Sequence, residues 1–251
     1  MTTLEGRVAL VTGAARGLGK SAALQLRCRG AHVVATDLDE AGLAALKADC
    51  ADAGAALEIA PCDVSDRDQV RAMVAHWEDR FGQIDILVNN ASWASYAPIE
   101  DVTPDVVNRM FNVGLAAMLW TIQGAVPAMK RGRGGSIINM SSIAAEIGIH
   151  NAAVYSIVKG GVASLTRQLA IDLAPFGISV NSVAPGPVPT EGSLGIVPQE
   201  GWEKRRRATP AGRLGTPEEV ANLVAFLGDP ENRFITGEMI RIDGGLSRSM
   251  T

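Results

Sequence analysis

The sequence predicts one α/β domain built on a doubly wound parallel sheet with helices on both faces. Short apolar, β-branched runs alternate with longer helical patterns along the whole chain. That alternation, with strands that are apolar throughout, marks a parallel sheet covered on both sides. No Pro/Ser run, charge block, low-complexity stretch or internal repeat interrupts the 251 residues, so a single domain over 1–251 is expected. A glycine-rich turn, Thr12-Gly13-Ala14-Ala15-Arg16-Gly17-Leu18-Gly19, stands at the first strand–helix junction.

The elements follow in order. Arg7–Thr12 reads as a strand and Gly17–Arg29 as a helix. His32–Thr36 is the second strand, followed by an Ala/Leu-rich helix over Glu40–Asp52. Leu57–Pro61 is the third strand, with a helix over Arg67–Phe81. Ile84–Val88 is an apolar run too short for a helix. Pro104–Lys130 reads as one long helix with proline in its first turn, where the missing N–H costs nothing. Ser136–Met140 is a strand, and Ala152–Leu173 a helix that stops at Pro175-Phe176-Gly177. Ile178–Val183 and Met239–Ile242 are the last strands, with a helix over Pro217–Leu227 between them. Right-handed crossovers then give a Rossmann-type sheet, whose ligands bind beyond the carboxyl ends of the strands.

Composition narrows the function. Apolar content of 47% with few aromatics implies a core of Ala, Val, Leu and Ile. A net charge of −4 argues against a nucleic-acid partner. Cys28, Cys50 and Cys62 lack metal-type spacing and read as reduced thiols, which points to a cytoplasmic protein. His32, His76 and His150 form no ligand cluster, so no metal site is expected. The first residues show no basic region followed by an apolar stretch, so no export signal is expected. No run of 18 apolar residues exists, so no membrane span is expected.

The strand ends carry the chemistry. Gly13, Gly17 and Gly19 let the backbone turn tightly and approach a pyrophosphate seated on the following helix N-terminus. Strand two ends at Asp37, where a carboxylate accepts from a ribose 2′-hydroxyl and repels a 2′-phosphate; this favours NAD over NADP. Arg16 is the counter-signal, since its guanidinium can pair with a 2′-phosphate. Asp63, before Val64, either bonds an adenine amino group or caps the next helix. Asn89-Asn90-Ala91-Ser92 follows strand four, where side-chain amides tie loops together or contact ribose. Ser142 follows strand five and can donate to a carbonyl or alkoxide oxygen. Tyr155 and Lys159 are four residues apart, on one face of a helix. A nearby ammonium favours the phenolate, which makes the pair a device for moving a proton onto or off an alcohol.

These residues together resemble the short-chain dehydrogenase/reductase family. The matching positions are Gly13, Gly17, Gly19, Asn89-Asn90-Ala91, Asn112, Ser142, Tyr155, Lys159, Pro185-Gly186 and the closing Ile235-Thr236-Gly237-Glu238 and Asp243-Gly244-Gly245. The resemblance implies roles. Tyr155 would be the general acid/base, Lys159 would lower its pKa and bond the nicotinamide ribose, and Ser142 would orient the substrate oxygen. Asn112 would hold a water linking Lys159 to solvent. Thr190 would contact the nicotinamide carboxamide through its side chain and Val188 through its backbone. Leu18 belongs to the same glycine turn. Ser92 stands where the family usually has glycine, and Ile157 and Val158 where it has small residues, which bears on substrate rather than chemistry.

Substrate choice is expected in the strand-end loops and in a mobile lid over about 191–213, which contains Gly192, Gly195 and Gly201. Trp93, Tyr96, Ala144, Glu146, His150, Pro187, Leu194 and Trp202 are the pocket candidates. Packing roles for Trp93 and Trp202, and a loop-structural role for His150, stand as alternatives. Arg205-Arg206-Arg207 reads as a solvated helix face, with recruitment of an anionic substrate as the alternative. Met110, Phe111, Leu115, Met118, Leu119 and Trp120 put apolar residues on more than one side of their helix. A second buried face follows, and with the resemblance it implies a homotetramer, with a dimer as runner-up. The expected function is NAD-dependent interconversion of a secondary alcohol and its ketone. The alternatives are an NADPH-dependent 3-oxoacyl-thioester reductase and a non-catalytic cofactor-binding scaffold.

Overall fold

The computed structural model describes residues 4–50 and 56–249. Seven strands form one parallel sheet: β1 (Val8–Thr12), β2 (His32–Asp37), β3 (Leu57–Pro61), β4 (Ile86–Asn89), β5 (Gly135–Met140), β6 (Ile178–Pro185) and β7 (Met239–Ile242). Their order across the sheet is β3-β2-β1-β4-β5-β6-β7. The order reverses between β1 and β4, so the connections leaving those two strands diverge and open a crevice at their carboxyl ends.

Side-chain alternation along each strand feeds two apolar layers. Ala9 and Val11 of β1 enter one, packed by α1 (Gly17–Cys28), α2 (Glu40–Asp49) and α9 (Pro217–Gly228). Leu10 enters the other, with Val34, Leu87, Ile137 and Val180. That second layer is closed by α3 (Arg67–Phe81), α5 (Ala117–Arg131) and α6 (Ala153–Leu173). The expected doubly wound sheet is therefore the observed one.

The observed bounds differ at several places. Residues 51 and 52 of the predicted second helix lie outside the described residues, and α2 is described to Asp49. Strand four begins at Ile86, two residues later than predicted; the side chain of Asp85, just before it, enters a buried ion cluster. The predicted helix over 104–130 is two helices, α4 (Pro104–Phe111) and α5, joined by a π turn over Asn112–Ala116. Apolar periodicity continues through the turn, so the sequence pattern hides it. Between β6 and α9 lie two short helices, α7 (Glu191–Leu194) and α8 (Gln199–Ala208).

Met110 and Met118, expected on a second apolar face, belong to the chain's own core. Leu119 on α5, and Ile157 and Ile171 on α6, remain exposed. No helix is long and apolar enough to cross a membrane among the described residues.

Candidate active site

The glycine turn is a packed structure before it is a ligand site. Gly13 and Gly17 have φ of +64° and +57°, a region that disfavours side chains. A Cβ on Gly19 would stand 2.0 Å from the Gly13 carbonyl oxygen. The Thr12 hydroxyl accepts from the N–H groups of Asn90 (2.9 Å) and Ala91 (3.0 Å). In return the Asn90 side-chain amide donates to the carbonyls of Thr12 (3.0 Å) and Gly13 (2.9 Å). The tie expected of the Asn90 amide is thus made to the glycine turn.

Asp37 holds the other side of that turn. Its Oδ2 accepts from the Ala15 N–H and its Oδ1 from the Asp39 N–H, both at 3.0 Å. Asp63 uses Oδ1 to accept from the backbone and hydroxyl of Ser65, as a turn residue ahead of α3. Val64 packs into the core beside it. The helix N-terminal cap itself is Asp66, which accepts from Asp68 and Gln69.

A cavity of about 650 Å³ runs from the glycine turn to the Tyr–Lys pair. Arg16, Leu18, Asn90 and Thr190 line one end, and Ser142, Tyr155, Lys159, Pro185, Gly186, Pro187 and Val188 line the wall. Trp93, Tyr96 and Trp202 line it as expected. Four predicted pocket residues do not. Ala144 is buried in the turn after β5, His150 lines a neighbouring cleft with Pro98 and Asn151, and Leu194 points outward, 58% exposed. Glu146 is paired with Arg241 instead. Ile147, Ile149, Ile196, Val197 and Arg205 also line the cavity. They sit in loops and on the short helices, where apolar spacing carries no signal for a pocket.

The catalytic candidates converge unequally. Ser142 and Tyr155 line the same wall, and the Ser142 hydroxyl favours the Tyr155 phenolate. Lys159 is buried, and its ammonium donates to the Met140 carbonyl at 2.8 Å while lying 5.6 Å from the Tyr155 ring centroid. Burial pushes the Tyr155 phenol well above its ordinary range; Tyr96 adds to the rise, while Ser142 and Arg205 pull against it. Lys159 falls to about 8 because burial penalises its charge. The expected lowering of the phenol by Lys159 is not seen here: the lysine is turned to a carbonyl, and burial dominates Tyr155. Asn112 opens the π turn, is exposed, and does not line the cavity.

Sequence reading missed a buried polar network beneath the cavity floor. Asn89 donates to Asn139 (2.9 Å) and accepts from Thr121 (2.6 Å), and Asn139 donates to Thr166 (3.1 Å). It pins β4, β5, α5 and α6 together, and each polar residue alone looks like a strand or helix oddity.

The residues fit a nicotinamide dinucleotide. α1 begins without a side-chain cap and without an acidic residue in its first turn, whereas α2, α3, α4 and α9 are capped by Asp39, Asp66, Thr103 and Thr216. Free backbone N–H groups and the positive helix end suit a pyrophosphate there. Such a cofactor supplies the hydride chemistry.

This arrangement of sheet, glycine turn and Tyr–Lys wall defines a nicotinamide-dependent oxidoreductase architecture. The family model described as enoyl-(acyl carrier protein) reductase matches residues 13–247. The chain belongs to the short-chain dehydrogenase/reductase family. It is 40% identical over 245 residues to a trans-4-hydroxycyclohexanecarboxylate dehydrogenase of Sinomonas cyclohexanicum, covering 95% of this chain and 92% of that protein. It is 36% identical to a 3-oxoacyl-[acyl-carrier-protein] reductase of Thermotoga maritima, covering 97% and 98% respectively. The structure of a gluconate 5-dehydrogenase from Burkholderia cenocepacia, in complex with NADP and tartrate, superposes with a TM-score of 0.94 at 34% identity, covering 99% of this chain and 98% of that one.

Proposed function

We propose that the protein is an NAD-dependent dehydrogenase interconverting a secondary alcohol and its ketone. One observation carries the reading. Ser142, Tyr155 and Lys159 stand on one cavity wall, with the uncapped start of α1 and its glycine turn at the other end. With a dinucleotide bound along that path, Gly13, Gly17 and Leu18 would hold the pyrophosphate, Asp37 would accept from the adenosine ribose, and Pro185, Gly186, Val188 and Thr190 would hold the nicotinamide. Asp63 and Val64 lie toward the adenine, and Asn90 and Ala91 beside the nicotinamide ribose.

In oxidation, Tyr155 takes the alcohol proton while the Ser142 hydroxyl holds the substrate oxygen. A nearby positive charge favours the phenolate, so the oxidised nicotinamide offsets part of the burial penalty on Tyr155. Lys159, turned from Met140 to the ribose, adds to that effect, and Asn112 links it to solvent through water. In reduction the same proton returns to the carbonyl.

Asp37 supports NAD, because a carboxylate at the end of β2, tied to the glycine turn, would repel a 2′-phosphate brought there. Arg16 lines the cavity and favours the second reading, an NADPH-dependent 3-oxoacyl-thioester reductase. We also propose a homotetramer joined through the exposed apolar residues of α5 and α6, Leu119, Ile157 and Ile171. The deciding experiment measures NAD and NADP reduction by the purified protein over secondary alcohols, diols, polyols and aryl carbinols. The expected result is NAD reduction with one responsive class; preference for NADP moves the thioester reductase to first place. Asp37→Ala is expected to weaken NAD and to relieve exclusion of NADP. An unchanged preference would remove Asp37 from the cofactor argument.

A further inference from the structure

Among the described residues, the charged side chains lining the cavity are Arg16, Lys159 and Arg205, with no Asp or Glu. A cationic cavity in a chain of net charge −4 is a local arrangement, not an average. Arg16 stands at the glycine turn and Lys159 in the Tyr–Lys wall, which leaves Arg205 without a part in the chemistry described above. The run Arg205-Arg206-Arg207 is not one solvated face. Arg206 and Arg207 are exposed and both pair with Glu203, at 2.7 and 2.9 Å. Arg205 is half-buried and, among the described residues, pairs with no carboxylate. Its guanidinium lies over the Trp202 ring, 5.0 Å from the centroid.

Trp202 supplies a second, independent sign. It lines the same cavity, is only 8% exposed, and its indole N–H is buried without a hydrogen-bond partner. Buried donors in native proteins are almost always satisfied, so an orphaned one beside a half-buried guanidinium marks a place for an acceptor. Arg205 lines the same cavity as Tyr155 and Tyr96, and its charge opposes the rise that burial imposes on both phenols.

We propose that Arg205 and the Trp202 indole N–H bind a carboxylate of the substrate, so that this protein acts on secondary hydroxy acids and their keto acids in preference to neutral alcohols. This rests on the dehydrogenase reading above. The planar fork of arginine matches a carboxylate through two parallel hydrogen bonds, and stacking on the indole preorients it. Ile147, Ile149, Ile196 and Val197 keep the surroundings apolar, which strengthens a charge-assisted bond. Because α8 carries both donors, the anion is gripped by the segment expected to close over the site.

The test compares secondary hydroxy acids with their own methyl esters, in wild type, Arg205→Met and Arg205→Lys. Wild type is expected to favour the acid over the ester in kcat/KM by about 10- to 100-fold, the range of one charge-assisted hydrogen bond. Arg205→Met should bring that ratio close to one, mainly through KM for the acid, and Arg205→Lys should keep part of it. The KM for the dinucleotide should stay unchanged in both variants. Equal use of acid and ester by wild type, an unchanged ratio in Arg205→Met, or a raised dinucleotide KM would overturn the proposal, the last by giving Arg205 to a cofactor phosphate. Should no alcohol of either charge be oxidised, the dehydrogenase reading fails, and tryptophan fluorescence titration with keto acids and their esters decides this one. Acid-selective quenching lost in Arg205→Met sustains it, and its absence rejects it.

Discussion

A phenol and an ammonium four residues apart promise an acid/base pair, and in the folded chain burial has moved both toward neutrality. Tyr155 is pushed up and Lys159 down to about 8. Tyr155→Phe removes the proton carrier alone, so kcat should fall by about 10²–10⁴. Dinucleotide binding, followed by fluorescence titration, should be nearly intact; substantial residual turnover would reject the assignment. Lys159 also makes a stability prediction with a definite sign. Between about 8 and its ordinary 10.5 the unfolded chain holds the proton and the folded chain does not. The Lys159 contribution to stability therefore rises with pH across that window and is flat below it. Comparing urea midpoints of wild type and Lys159→Met from pH 7 to 10 should show wild type gaining relative to the variant. The Tyr–Lys pair and Ser142 were legible because short spacing on one helix or strand end fixes them. Arg205 was not, because only the fold separates it from its two neighbours on the same helix.

At the level of elements, the glycine turn and the strands were legible, and the π turn was not. Hydrophobic spacing through Asn112–Ala116 stays helical, and the extra residue that widens the turn has no composition of its own. Its partner is steric: a Cβ on Gly114 would stand 2.5 Å from Val158 Cγ1 on α6. Gly114→Ala should force α4 from α6 and lower stability by about 1–3 kcal/mol, the usual cost of overpacking. The glycine turn answers the same way for a different reason. Thr12→Val leaves the N–H groups of Asn90 and Ala91 without their acceptor. Loss of about 1–3 kcal/mol in urea unfolding, with weakened dinucleotide binding, is the expected outcome. A wild-type midpoint would mean that water replaces the hydroxyl at no cost.

The whole molecule separates its stabilising end from its reacting end. At the amino ends of the strands Asp85, 1% exposed, accepts from Arg7 (3.0 Å), Arg133 (2.8 Å), Gln83 (3.0 Å) and the Val8 N–H (2.9 Å). Asp85→Ala leaves the buried Val8 N–H without its acceptor and the partly exposed Arg7 and Arg133 without their partner, and should cost about 1–3 kcal/mol. The kcat of the protein that remains folded should be unchanged, because the proposed reaction site lies at the carboxyl ends of the strands. That polarity follows from strand direction, so it was readable in advance; the ion cluster was not, since its members are far apart in sequence. The four hydrogen bonds joining Thr12 and Gly13 to Asn90 and Ala91 carry a mechanical consequence. They rivet the two lips of the crevice where β1 and β4 diverge, so those lips cannot part to admit a ligand. One jaw is fixed, and if the proposed lid after β6 does open, Arg205 and Trp202 would travel with it as one unit.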